Sequence, residues 1–305
     1  MNSKLSFFLL FSSLIILHGC DKIEEPEPEN PLTLADFLTN NKPALQNFTV
    51  QAGAASEIHG VKGSTISFAP GSFYTLAGVA VTSGNVEIQL REVTTKKDMV
   101  LSQTPTISDD ELIVSHGVYY LKALQNGFEL RIQNFTIEKT VPADTNLRLF
   151  FGAIDGDNFN WINPDSSGYV EYNDIGDSTY YQMNIISTYI AQNYNWINCD
   201  YFYDNTAPRV AVFFPTTDTI SAYFFQSYLV FNDLNAVLQY NSYSSNQLEF
   251  FNIPTGLDAT LVTYYIVGGK VYVATANITV SDALSTQVTF TETTEQGLLE
   301  ILGGL

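Results

Sequence analysis

Trp196-Ile197-Asn198-Cys199-Asp200 places an indole ring, an amide, a thiol and a carboxylate within five residues, enough for a nucleophile, an acid and a stacking surface. A thiol becomes a strong nucleophile when a histidine takes its proton, and beyond residue 20 the chain offers only His59 and His116. Neither histidine stands at zinc-ligand spacing. Core packing is the plainer reading: Trp196 and Cys199 buried, Asn198 and Asp200 satisfying backbone donors in adjacent turns. A second candidate, Asp155-Gly156-Asp157-Asn158-Phe159-Asn160-Trp161, begins like a calcium loop, because oxygen ligands at alternate positions converge on one cation. Phe159 then takes the third ligand position and no glutamate closes a twelve-residue loop, so Asp155 and Asp157 are only partial calcium ligands, and an acidic turn explains them. Carboxylate pairs for acid–base hydrolysis occur at Asp109-Asp110-Glu111 and from Asp174 to Asp177. With 32 acidic residues such neighbours are inevitable, and solvated loops account for them. The chain lacks a Gly-x-Ser-x-Gly elbow and a glycine-rich phosphate loop. No catalytic residue or cofactor is assigned.

The elements that position these groups read as strands. Ser64 to Phe68 alternates before the Pro70-Gly71 turn, and Val86, Ile88 and Leu90 share one face of Val86 to Arg91. Val118 to Leu124, Phe128 to Ile132 and Leu147 to Phe151 continue the series, with Asn126-Gly127 as a hairpin turn. A second cluster comprises Arg209 to Phe214, Thr219 to Phe225, Leu248 to Phe251 and the hairpin Thr260 to Val267, Gly268-Gly269, Lys270 to Val280. Short strands at this spacing predict sandwiches rather than a helix-bearing parallel sheet. One short helix is expected from Thr33 to Asn40, where Thr33 and Asp36 form a capping-box pattern. Asp155 to Asp204 reads as loops with a few strands.

Formal net charge is −19, and from Leu149 to Leu305 only Arg209 and Lys270 oppose sixteen acids. Such a surface repels phosphate backbones, so nucleic acid is excluded as a partner. At the N-terminus Lys4 precedes thirteen residues, Leu5 to Leu17, that hold only three serines among Leu, Ile and Phe. That core is shorter than the roughly 20 residues a spanning helix needs and reads as a removable signal. Leu17-His18-Gly19-Cys20 resembles the bacterial lipobox, which implies a diacylglyceryl group on Cys20 as the covalent lipid and membrane anchor. The acidic, proline-rich run Asp21 to Pro31 is an extended tether. It resembles the export signal that sends Bacteroidota lipoproteins to the outer face of the outer membrane.

Gly63 to Phe73, Gly84 to Glu92, Asp98 to Leu101, Pro105-Thr106, Phe150 to Gly152 and Asn195 to Phe202 together resemble an uncharacterised family of secreted or lipid-anchored Bacteroidota β-proteins. Its Trp-Ile-Asn-Cys-Asp run corresponds to Trp196, Asn198, Cys199 and Asp200, with structural roles implied. The N-terminal part is similar to ZU5-like β-sandwiches. The resulting expectation is an all-β protein with two ZU5-like or Ig-like sandwiches. Its parts are a signal (1–19), a lipidated tether with a short helix (20–48), a first sandwich (49–155), a loop-rich connector (156–208), a second sandwich (209–292) and a tail (293–305) whose end frays. The expected role is noncatalytic binding or scaffolding at the outer membrane, with a surface protein or glycan as partner. The alternatives are a carbohydrate-acting enzyme with paired carboxylates and a glycan-binding protein of a nutrient-uptake system.

Overall fold

The computed structural model describes residues 31–140, 146–155, 158–163, 168–175, 178–187, 195–203, 206–217 and 225–305. The expected signal, Cys20 and the tether up to residue 30 lie outside the described residues. In chain order the first part holds α1 (Leu34–Asn41), β1 (Gln46–Gln51), β2 (Ser56–His59), β3 (Thr65–Phe68), β4 (Phe73–Thr75), β5 (Asn85–Val93) and α2 (Lys96–Ser102). Next come β6 (Ile107–Ser108), β7 (Glu111–Gln125), β8 (Phe128–Thr140), β9 (Arg148–Asp155), β10 (Asn158–Ile162), β11 (Gly168–Ile175), β12 (Ser178–Ser187) and β13 (Trp196–Phe202). The second part holds β14 (Arg209–Pro215), β15 (Phe225–Phe231), β16 (Val237–Gln239), β17 (Ser242–Ser244), β18 (Gln247–Pro254), β19 (Asp258–Val267), β20 (Lys270–Thr279), β21 (Thr291–Thr293) and α3 (Glu295–Gly303). The protein is all-β in class, and each of its named strand pairs is antiparallel.

The first part is a sandwich whose two layers share one long strand. One layer runs β1-β5-β7-β13-β9-β10, the other β2-β3-β8-β12-β11. The start of β8 pairs with β7 and β4; from Phe135 onward it pairs with β3, and it also pairs with β12. The switch falls at Asn134, whose φ of 50° is tolerated because its short polar side chain suits the left-handed region. Its carbonyl accepts from Ser72 Oγ at 3.0 Å and Ala69 N at 3.4 Å, so the Ala69-Pro70-Gly71-Ser72 turn clamps the corner. Between the layers Ile66, Phe68, Ile88, Leu90, Tyr119, Leu121, Phe135, Ile137, Tyr181 and Met183 make one apolar cluster.

The second part packs the sheet β14-β18-β17 on the sheet β16-β15-β19-β20-β21. Leu229, Phe231 and Leu261 meet Val212, Phe214 and Phe250 between these sheets. Tyr228, Val230, Val262 and Tyr264 point the other way, into a cluster with Phe37 of α1, Met99 and Val100 of α2, Phe150, Trp161, and Leu298 and Leu302 of α3. The central strands β15 and β19 are therefore covered on both faces, which explains their consecutive buried residues from Ser227 to Phe231 and from Leu261 to Tyr264. That shared cluster joins both parts into the single compact unit Leu32–Leu305.

Several expectations change. Residues 156–208 are not chiefly loops: β10 to β13 fill much of the region, with β13 inserted between β7 and β9 and β12 paired with β8. The alternation of buried Tyr181, Met183 and Ile185 with Gln182 and Asn184 is a half-buried strand, masked in sequence by its Asn and Asp neighbours. The chain end is not frayed, because Thr294 caps α3 and Leu298 and Leu302 are fully buried, each worth about 1.5–3 kcal/mol. The helix expected from Thr33 is α1, whose capping box joins Asp36 N to Thr33 Oγ1 at 3.1 Å. Thr95 and Asp98 repeat that device in α2, a helix the strand-dominated reading lacks. The strand expected at Thr219 to Phe225 lies, except for Phe225, outside the described residues.

Candidate functional site

β6 and β7 are joined by only two residues, Asp109 and Asp110, with Ser108 opposite Glu111. A two-residue link matches the strand twist when both central residues take positive φ, and here they do, at 49° and 67°. Asn-Gly would adopt this turn with little strain; two aspartates do so at roughly 1 kcal/mol each. Neighbouring strands hold them there. The Asn160 amide donates to Asp109 Oδ1 at 2.9 Å while its oxygen accepts from Asp109 N at 2.9 Å. Asn252 Nδ2 donates to the Asp110 carbonyl at 2.5 Å. Ser108 Oγ donates to the Trp161 carbonyl at 2.7 Å, and the Trp161 indole donates to the Pro105 carbonyl at 2.8 Å.

A cleft of about 390 Å³ lies beside this turn. The first part of the molecule contributes Ile107, Asp109, Asp110, Phe159 and Asn160; the second contributes Gln239 from the end of β16 and Tyr240 and Asn241 from the link to β17. Phe159 is braced edge-on against Trp161 at 4.8 Å, and Tyr240 tilts against Phe225 at 5.4 Å. Among the described residues no Lys or Arg lines the cleft. Carboxylates and amides that give and take hydrogen bonds, set beside half-buried rings, suit a ligand that carries hydroxyl groups and apolar faces. The size is that of an ordinary small-ligand recess.

The Trp196–Asp200 segment sits elsewhere on the seam. Asn198 pairs with Val118 and Asp200 with Ser115, so His116 and Gly117 bulge opposite Cys199. A Cβ on Gly117 would stand 2.8 Å from the Tyr119 hydroxyl and 3.1 Å from that of Tyr181, where those two hydroxyls pair at 3.0 Å. Ser115 Oγ donates to Asn198 Oδ1 at 3.2 Å, Asn198 Nδ2 donates to Asp200 Oδ2, and His116 N donates to Asp200 Oδ1 at 3.3 Å. Burial pushes the Asp200 carboxyl well above the usual carboxylate range, outweighing those hydrogen bonds. The backbone of Ser115 completes the seam: its N–H reaches the Asn235 carbonyl at 3.0 Å, and its carbonyl accepts from Asn235 Nδ2 at 2.8 Å. Cys199 is fully buried in the first sandwich, and Trp196 packs edge-on against Tyr120 at 5.2 Å. None of these motif residues lines the cleft.

Another buried acid, Glu92, is a staple. Burial alone would raise its pKa, but donors from Ser64 Oγ (2.7 Å), Lys62 N (2.8 Å), Gln46 Nε2 (3.0 Å) and Ser64 N (3.2 Å) hold it below the ordinary value. It fixes the loop between β2 and β3. Of the calcium candidates, Asp157 and the side chain of Asp155 lie outside the described residues, as do the side chains of Asp174 to Asp177. Among the described residues no three or more His, Cys, Asp or Glu come together as a metal site.

Asp109 and Asp110 are exposed, as expected of a solvated turn, but the cleft beside them was not foreseen. Asn160, Gln239, Tyr240 and Asn241 come from segments 51 and more residues away in sequence, and no local pattern marks them. No family model and no curated protein matches the chain.

Proposed function

We propose that the chain is a lipid-anchored, noncatalytic binding module of a bacterial outer membrane, and that the cleft between its two β parts takes a glycan. Its kinship to the Bacteroidota lipid-anchored family, with Cys20 as the acylated residue and display on the outer face, belongs to the same reading. The observation that carries the glycan part of the reading is the strained Asp109-Asp110 turn, pinned by Asn160 and Asn252 beside Phe159 and Tyr240; the anchor rests on Leu17-His18-Gly19-Cys20. Strain of this kind persists where the surroundings over-determine it, and it gathers at binding sites.

The test is affinity electrophoresis of the purified chain in gels holding neutral polysaccharides. Retardation that Tyr240→Ala and Asn160→Ala relieve supports the reading; unretarded wild-type protein across a broad polysaccharide panel defeats it. A second reading, hydrolysis by paired carboxylates, draws on the adjacent acids and rings of the same cleft. Asp109 is already committed to Asn160, so Asp110 would have to act, and reducing ends released by wild type but not by Asp110→Asn would establish it.

A further inference from the structure

A second recess, of about 690 Å³, is lined by Glu111, Asn146, Arg148, Phe202, Tyr203 and Arg209. Two of the chain's thirteen basic residues thus share one groove, although acids outnumber bases by 32 to 13. In so acidic a protein, arginines ordinarily find carboxylates, because a guanidinium fork matches a carboxylate with two parallel hydrogen bonds. Among the described residues neither Arg148 nor Arg209 is in an ion pair. Both are instead set in place by the end of β13. The Arg148 guanidinium lies 5.2 Å from the Phe202 ring centroid, and Arg209 Nη2 donates to the Tyr203 carbonyl at 3.2 Å. Each keeps further N–H donors for a ligand.

We infer that this groove binds a singly charged acidic group of a saccharide, a uronate carboxylate or a sulfate ester. Two guanidiniums facing one groove select an oxyanion, and the surrounding negative field of the chain disfavours more highly charged phosphate groups. The saccharide is the part of the inference that rests on the glycan reading above. The link between the two recesses is direct: Asp110 lines one and its neighbour Glu111 the other.

Titration calorimetry of the full chain with oligogalacturonate, its neutral methyl ester and a sulfated galacto-oligosaccharide tests this. Tighter binding of a charged probe than of the ester is expected. Arg148→Gln and Arg209→Gln, both at exposed positions, should each weaken the charged probe by about tenfold or more with the melting temperature checked in parallel, since a charge-assisted hydrogen bond is lost. They should leave the ester unaffected, while Tyr240→Ala weakens every probe. Equal affinity for ester and acid, or charged binding that survives both arginine substitutions, overturns the acidic-sugar inference and leaves the cleft standing. Absence of binding by every probe overturns it as well, and retention of neutral polysaccharide in the gel assay then decides the cleft separately. The ratio of uronate to sulfate affinity identifies which acid the groove takes.

Discussion

A bulge inside β7 and the turn that enters it, five residues apart, use the same side-chain types to opposite ends. At Ser115 to Gly117 the strand bulges against Asn198 and Asp200, and the polar groups satisfy one another out of reach of water: both of those side chains are fully buried. At the turn entering β7, Asp109 and Asp110 are exposed, and only part of their hydrogen-bonding capacity is used by Asn160 and Asn252. The first stretch seals the seam between the two β parts; the second leaves it open. Aspartate and asparagine therefore indicate a site only when geometry leaves them unsaturated and reachable.

The sealed stretch should yield the largest effects. Asp200→Ala removes the carboxylate that accepts from Asn198 Nδ2 and from the His116 N–H, breaking one buried and one part-buried hydrogen bond in a fully buried setting. A loss of about 3–5 kcal/mol is expected by chemical denaturation. A loss below about 1 kcal/mol would mean that water reaches the network and that the contrast with the turn is false. Asp200→Asn sharpens the same contrast through pH. Burial raises the folded-state pKa, so above about pH 4 the unfolded chain gives up a proton that the folded chain retains. The unfolded state then binds fewer protons, and this group's contribution to stability falls as pH rises from about 4 toward the raised folded value. Melting temperatures of Asp200→Asn relative to wild type should therefore climb between pH 4 and pH 8. A constant difference would show that the carboxyl titrates normally.

What could be read in the sequence follows the same division. Period-two alternation at Val86 to Leu90 and the Gly268-Gly269 hairpin gave the β class, and Thr33 with Asp36 gave α1, because each signal lies within a few adjacent residues. The Trp196–Asp200 run stood out because four functional groups crowd one strand, yet they face alternate sides: Cys199 enters the first core while Asn198 and Asp200 enter the seam. The cleft was hidden for the converse reason. Its Asp109–Asn160 contact spans 51 residues and its Asp110–Asn252 contact 142, so no window along the chain holds both partners. The two-faced burial of β15 was equally hidden, since only the assembled seam supplies α1, α2 and α3 as cover.

The smallest effect on stability is the most telling about function. Asp110 holds φ at 67°, a region that glycine enters freely, and its side chain is exposed. Asp110→Gly removes the left-handed strain but makes the unfolded chain more flexible, so the balance is a gain of about 0.5 kcal/mol. The Asn252 contact survives because it uses the Asp110 carbonyl. A fold selected for stability alone would take that gain. Glycan retention by the cleft should nonetheless fall in Asp110→Gly while its melting temperature rises slightly, the signature of a residue kept for a ligand at the expense of stability. If the variant is more stable and binds polysaccharide as wild type does, the aspartate is incidental, and the open end of the seam differs from the sealed end in exposure alone.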